Sequence, residues 1–232
     1  MGREMVLAFA ESGADVVIAS RKLDACEALA AEVTARFPDR RALAVAAHVG
    51  RWEDCNRLAD AAYDHFGRVD VLVNNAGMSP LYESLVDVSE ELYDKVLSVN
   101  LKGPFRLMAL VGDRMAKGDG GSIINVSSIA SIRPTPVETA YAAAKAGLNA
   151  LTVAYAHAYG PKVRVNCIVA GPFLTDISKA WDLDVFNARV QAAYALGRGG
   201  QPDEIVGAAL YFASDASSYT TGALLRIDGG AP

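Results

Sequence analysis

Short apolar runs alternate along the chain with longer stretches whose apolar positions recur every three or four residues. The short runs are Asp15–Ser20, Ala42–Ala46, Val69–Val73, Ser122–Val126, Val163–Val169 and Leu224–Ile227. They are rich in Val, Ile and Ala, as strands of a parallel sheet covered on both faces should be. Helical spacing runs from Gly2 to Ser12, with Met5, Val6, Phe9 and Ala10 on one side, and then over Lys22–Phe37 and Trp52–Phe66. A further helix starts near Ser89 and leads into another at Asn100–Met115, with Gly103-Pro104 between them; Ala140–Tyr159 and Pro202–Ser214 follow. Gly13 and Pro38 stop the first two helices. Gly171 to Gly200 reads as irregular, with one short helix. Strands that alternate with helices predict an α/β fold, a doubly wound, mostly parallel sheet with helices on both faces. No linker, repeat or low-complexity stretch divides the chain, so residues 1–232 are expected to form a single domain.

The candidate chemistry gathers between Ser128 and Lys145. Ser127 and Ser128 stand where the Ser122–Val126 strand ends, the end at which open α/β sheets bind ligands. Thirteen residues on, Tyr141 and Lys145 lie four apart on a helix and so share one face. A phenol is a weak base at neutral pH, and a Lys ammonium one turn away is expected to lower its pKa. Tyr141 then serves as a general acid or base for a carbonyl or alcohol oxygen, which the Ser128 hydroxyl holds.

Composition narrows the picture. With 52% hydrophobic and 21% charged residues, a large core is available and disorder is not expected. The net charge of −5 argues against nucleic acid or an anionic membrane as partner. No apolar run is long enough to span a bilayer and no signal-peptide pattern opens the chain. Cys26, Cys55 and Cys167 form no close pair and read as reduced, buried thiols of a cytoplasmic protein. His48, His65 and His157 have no metal-ligand spacing, so no metal site is expected.

Asn74-Asn75-Ala76-Gly77, Asn100, Ser128, Tyr141-x-x-x-Lys145, Gly171-Pro172 with Thr175, and Asp228-Gly229-Gly230 occur in that order over essentially the whole chain. In this the sequence resembles the classical branch of the short-chain dehydrogenase/reductase family, whose fold is a Rossmann-type sheet. The resemblance implies roles by position. Tyr141 would be the acid/base, Ser128 would hold the oxygen, and Lys145 would lower the tyrosine pKa and bind the nicotinamide ribose. Asn100 would hold a water in a proton relay behind Lys145. Asn75, Ala76 and Gly77 would pass under the adenosine half, and Gly171, Pro172 and Thr175 would line the nicotinamide and phosphates. His48, before Val49, stands where the family has an adenine-contacting Asp, and Ala170 stands where it has a Pro. The family opens with a strand and a Thr-Gly-x-x-x-Gly-x-Gly turn; here Gly2 aligns with the last glycine of that turn. The expectation is therefore a natural protein longer than these 232 residues, with the first, central strand of the sheet missing from this chain. The 232-residue form is expected to be poorly stable and weak in cofactor binding.

The strand Val16–Ala19 ends in Ser20-Arg21-Lys22, without the acidic residue that binds the ribose 2′-hydroxyl of NAD. Arg21 can instead take the 2′-phosphate, so NADP(H) is favoured over NAD(H). The substrate pocket is expected between Met78–Glu83, Ile129–Val137 and Phe173–Tyr194. Its few fixed charges suggest a neutral ketone or secondary alcohol, and Trp181 and Phe186 suggest a lid. The leading function is hydride transfer between NADP(H) and that substrate. The alternative is a non-catalytic remnant that no longer binds cofactor, and epimerisation or dehydration with the same tyrosine is also open. The resemblance also implies a homotetramer, with Ala146, Gly147 and Ala150 letting partner helices approach.

Overall fold

The apolar runs form strands and the amphipathic stretches form helices in a computed structural model that describes residues 1–175, 178 and 181–232. Helix α1 (Gly2–Glu11) leads into β1 (Val16–Ser20), followed by α2 (Leu23–Arg36), β2 (Ala42–Ala46), α3 (Trp52–Phe66) and β3 (Val71–Asn74). Next come α4 (Glu90–Leu97), α5 (Gly103–Lys117), β4 (Gly121–Ser128), α6 (Thr139–Tyr159) and β5 (Val163–Ala170). Helices α7 (Leu183–Ala193) and α8 (Val206–Ala213) precede β6 (Leu224–Ile227). Every strand pairing is parallel.

Strands β4 and β5 form the buried centre of the molecule. They pair from Gly121 opposite Val163 to Ser128 opposite Ala170. That pairing carries β4 two residues past its apolar run and makes Ser128 its last residue. On one face Met108, Val111 and Leu148 from α5 and α6 pack over Ile123 and Val165. On the other, Met5 of α1 and Phe212 of α8 cover Ile124 and Ile168. These contacts come from the amphipathic stripes of the helices.

The hydrogen-bonded ladder is in two parts. Strands β1 and β2 make one sheet, and β3, β4, β5 and β6 make another in that order. No described residue pairs with the free edges of β1 and β3, and both strands wall one cavity of about 2030 Å³. Val71, Leu72 and Val73 are apolar yet only half-buried, whereas β4 is buried along most of its length. Apolar strands with open edges are ordinarily paired or covered.

One expectation is corrected here. Gly103-Pro104 does not separate two helices: α4 passes through a π-helical turn, Ser98–Lys102, directly into α5. Pro104 fits because the first turn of a helix needs no N–H there. A Cβ on Gly103 would stand 2.3 Å from the Val49 carbonyl oxygen, so that position is bare because α5 presses on the loop after β2. Gly147 is half-exposed and lies beside Leu101. A Cβ there would meet the Leu101 methyls at 3.0 and 3.2 Å, while Ala146 and Ala150 are exposed on α6. The three cysteines are free and buried, as expected. Among the described residues no helix is long and apolar enough to cross a membrane.

Candidate active site

Two bonds fasten the end of β4 to α6. The Ser127 hydroxyl donates to the Lys145 carbonyl at 3.2 Å, and Lys145 Nζ donates to the Val126 carbonyl at 2.8 Å. This fixes Ser128 and Tyr141 beside the same cavity. Lys145 is 3% exposed, and loss of solvent lowers its pKa to about 8, with nearby Cys167 pulling weakly the other way.

Tyr141 departs from expectation. Burial raises its pKa above that of an ordinary phenol, the Ser128 side chain pulls it back in part, and the Glu138 carboxylate pushes it further up. Lys145 Nζ lies 5.7 Å from the centre of the Tyr141 ring and is hydrogen-bonded to strand β4. The four-residue spacing puts the two side chains on one face, but the buried ammonium turns to the nearest carbonyl.

Asn100 lies against Gly77. It is fully buried in the π-helical turn and does not line the cavity. Its Nδ2 donates to the carbonyls of Met78 and Val96, each at 2.9 Å, and its Oδ1 accepts from the Met78 N–H at 3.2 Å. Both amide hydrogens are taken, so the side chain braces the loop after β3.

The expected cofactor residues Arg21, His48, Val49, Asn75, Ala76, Gly77, Gly171, Pro172 and Thr175 all border the cavity that holds Ser128, Tyr141 and Lys145, as does Gly2 at the start of α1. Arg21 is exposed and has no hydrogen bond or ion pair among the described residues. The Ser20 hydroxyl is turned to Lys22, accepting from its N–H and donating to its carbonyl, both at 3.1 Å. His48 Nδ1 accepts from Gly50 N–H at 3.1 Å, which leaves Nε2 as its outward nitrogen. Gly171 is bare because a Cβ would stand 2.6 Å from Asp228 Cα; the two glycine-containing motifs near the end of the chain pack on each other.

These residues fit a dinucleotide. Asn75 Oδ1 is buried with no hydrogen-bond partner, an acceptor ready for a ligand donor. A Cβ on Gly77 would crowd Asn100 Oδ1 at 3.0 Å and Lys145 Nζ at 3.5 Å, so the bare backbone keeps the floor open between them.

Met78, Ser79, Leu81, Ile129, Val137 and Trp181, from the three segments expected to form the substrate pocket, also line the cavity. Trp181 stacks on Phe186 with ring centres 5.0 Å apart. Residues 176, 177, 179 and 180 of the third segment lie outside the described residues. Arg133, Asp182 and Arg189 of those segments also line the cavity, as does Glu138. Sequence reasoning also missed a buried polar chain across the sheet. Asn74 Nδ2 donates to Asn125 Oδ1, and Asn125 Nδ2 donates to Thr152 Oγ1, each at 2.9 Å. An Asn inside an apolar strand was its one visible signal.

A family model described as enoyl-(acyl carrier protein) reductase matches residues 1–232. The chain is 37% identical over 223 residues to dehydrogenase/reductase SDR family member 4 of Bos taurus, covering 95% of this chain and 79% of that one. It is 39% identical over 237 residues to L-rhamnose 1-dehydrogenase (NAD(P)(+)) of Azotobacter vinelandii, covering 99% and 91%. Among solved structures it is similar to a 7α-hydroxysteroid dehydrogenase complexed with NADH and 7-oxo glycochenodeoxycholic acid. The TM-score is 0.92 at 31% identity, over 99% of this chain and 89% of that one.

Proposed function

The chain belongs to the short-chain dehydrogenase/reductase family and is an NAD(P)-dependent oxidoreductase; we propose that it interconverts a ketone and a secondary alcohol with NADP(H), using Tyr141 as the proton carrier. The observation that carries this reading is the placement of Ser128, at the C-terminal end of β4, and Tyr141, on α6, on one cavity with Gly77. The bound nicotinamide supplies or accepts the hydride. Ser128 orients the substrate oxygen through its hydroxyl. Tyr141 donates its proton to that oxygen in reduction; as a phenol it is protonated at neutral pH. Lys145, charged at pH 7 with its pKa of about 8, offers positive charge to the phenolate as it forms.

The preference for NADP(H) rests on Ser20 and Arg21. The end of β1 has no carboxylate for a ribose 2′-hydroxyl, and Arg21 is uncommitted among the described residues. Family membership leaves this open, since one relative is named for NAD(P)(+) and the steroid enzyme was solved with NADH.

Tyr141→Phe tests the proton role. NADPH binding should stay within about threefold of wild type while turnover of any accepted ketone falls about 10²–10⁴-fold. Undiminished turnover removes Tyr141 from the reaction.

A further strand between β1 and β3 is part of the reading. The open edges and the half-buried Val71–Val73 support it. A turn from such a strand into α1 would bring backbone N–H groups to a pyrophosphate at the helix N-terminus. Two charge-assisted bonds of about 1.5–3 kcal/mol each make a roughly 10²–10⁴-fold difference in binding. A version extended at its N-terminus by about twenty residues, an apolar strand and Thr-Gly-x-x-x-Gly, should bind NADPH that much more tightly than the 232-residue chain. Equal binding by the two forms refutes this part.

A further inference from the structure

Glu138 accepts hydrogen bonds from two neighbouring hydroxyls but has neither a helix-capping bond nor an ion pair among the described residues. It stands at the start of α6, but its carboxylate makes no capping bond to the helix. The entry to α6 is tied down by another residue: Tyr82 Oη accepts from the Ala140 N–H at 3.3 Å and pairs with Thr139 Oγ1 at 2.6 Å. No Lys or Arg among the described residues forms an ion pair with Glu138. It is half-buried in the wall of the cavity, three residues before Tyr141, and near enough for its charge to act on the Tyr141 hydroxyl. The two hydroxyls gather on it. Thr135 Oγ1 donates to Oε1 at 3.1 Å and Ser79 Oγ lies 3.5 Å from Oε2. All three residues line the cavity.

A carboxylate without a cation seeks hydrogen-bond donors. We infer that Glu138, with Ser79 and Thr135, selects substrates that carry a hydroxyl group close to the reacting carbon, making a hydroxy ketone or polyol the preferred substrate class. An ammonium group is the competing donor for Glu138, and the test below separates it from a hydroxyl. A simple alkyl ketone would leave the carboxylate facing apolar atoms, the mismatch that gives polar sites their selectivity. This inference rests on the oxidoreductase reading above and deepens it at the same site.

The test is a selectivity ratio, measured in the form of the protein that binds NADPH. Initial rates of NADPH oxidation are recorded with hydroxyacetone, aminoacetone and butanone, for wild type, Glu138→Ala and Glu138→Asp. Wild type should prefer hydroxyacetone over butanone in kcat/KM by tenfold or more. Glu138→Ala should lose about ten- to a hundredfold on hydroxyacetone, mostly in KM, and stay within about threefold on butanone. Glu138→Asp should recover part of the loss, which a merely structural role would not produce. A wild-type preference for butanone or aminoacetone overturns the inference while leaving the oxidoreductase reading intact. Equal losses on hydroxyacetone and butanone do the same. Absence of turnover with every ketone, and with the corresponding alcohols and NADP+, overturns the reading and the inference together.

Discussion

Replacing Lys145 by methionine should stabilise the cofactor-free protein at neutral pH while abolishing activity. The ammonium is 3% exposed and has one described hydrogen bond, to the Val126 carbonyl. Burial lowers its pKa from 10.5 to about 8, which amounts to about 3 kcal/mol against the charged form. Methionine has similar reach and no charge. It leaves the Val126 carbonyl without that donor, a loss of about 1–2 kcal/mol, so the net gain at pH 7 should be about 1–2 kcal/mol. The pH dependence is the sharper measurement. Because the folded pKa lies below the unfolded one, the unfolded chain binds more protons between pH 8 and 10.5. Stability from this group therefore rises with pH through that window. Wild type should gain on Lys145→Met by up to about 3 kcal/mol between pH 7 and 10.5, read as the difference in urea unfolding free energies. Groups with raised pKa, such as Tyr141 and Cys55, weaken the fold as pH climbs, but they do so in both proteins and drop out of the difference. Cys167 faces Lys145, and its pKa is pushed up to about 11, so both proteins should carry Cys167→Ala. A difference that stays flat from pH 7 to 10.5 refutes the claim that the charge is desolvated.

Arg21→Ala should weaken NADPH binding roughly 10- to 150-fold, the worth of a charge-assisted contact of about 1.5–3 kcal/mol, and leave NADH nearly unchanged; equal weakening of both cofactors in a titration removes the NADP(H) preference. Gly171→Ala should lower stability by about 1–3 kcal/mol, because its new methyl would press on Asp228 backbone 2.6 Å away. A urea midpoint within error of wild type would show that the two loops separate easily.

The order of strands and helices was legible from the chain because its causes are local. A parallel strand covered on both faces must be apolar throughout, and a helix on a sheet must repeat its apolar positions every three or four residues. The meeting of Ser128 and Tyr141 was legible too, since β4 ends at Ser128 and α6 begins at Thr139. The direction of each polar side chain was not. Lys145 bonds to Val126, nineteen residues away in sequence, and Asn100 to Met78, twenty-two away. Ser79 reaches Glu138 across fifty-nine residues, and Leu101 takes the space at Gly147. Such partners have no period in the chain, because a buried donor takes whichever acceptor packing brings within reach. Tertiary structure alone therefore decided where the Lys145 ammonium turns, that Asn100 braces the loop after β3, and that a carboxylate stands in the cavity wall three residues before Tyr141.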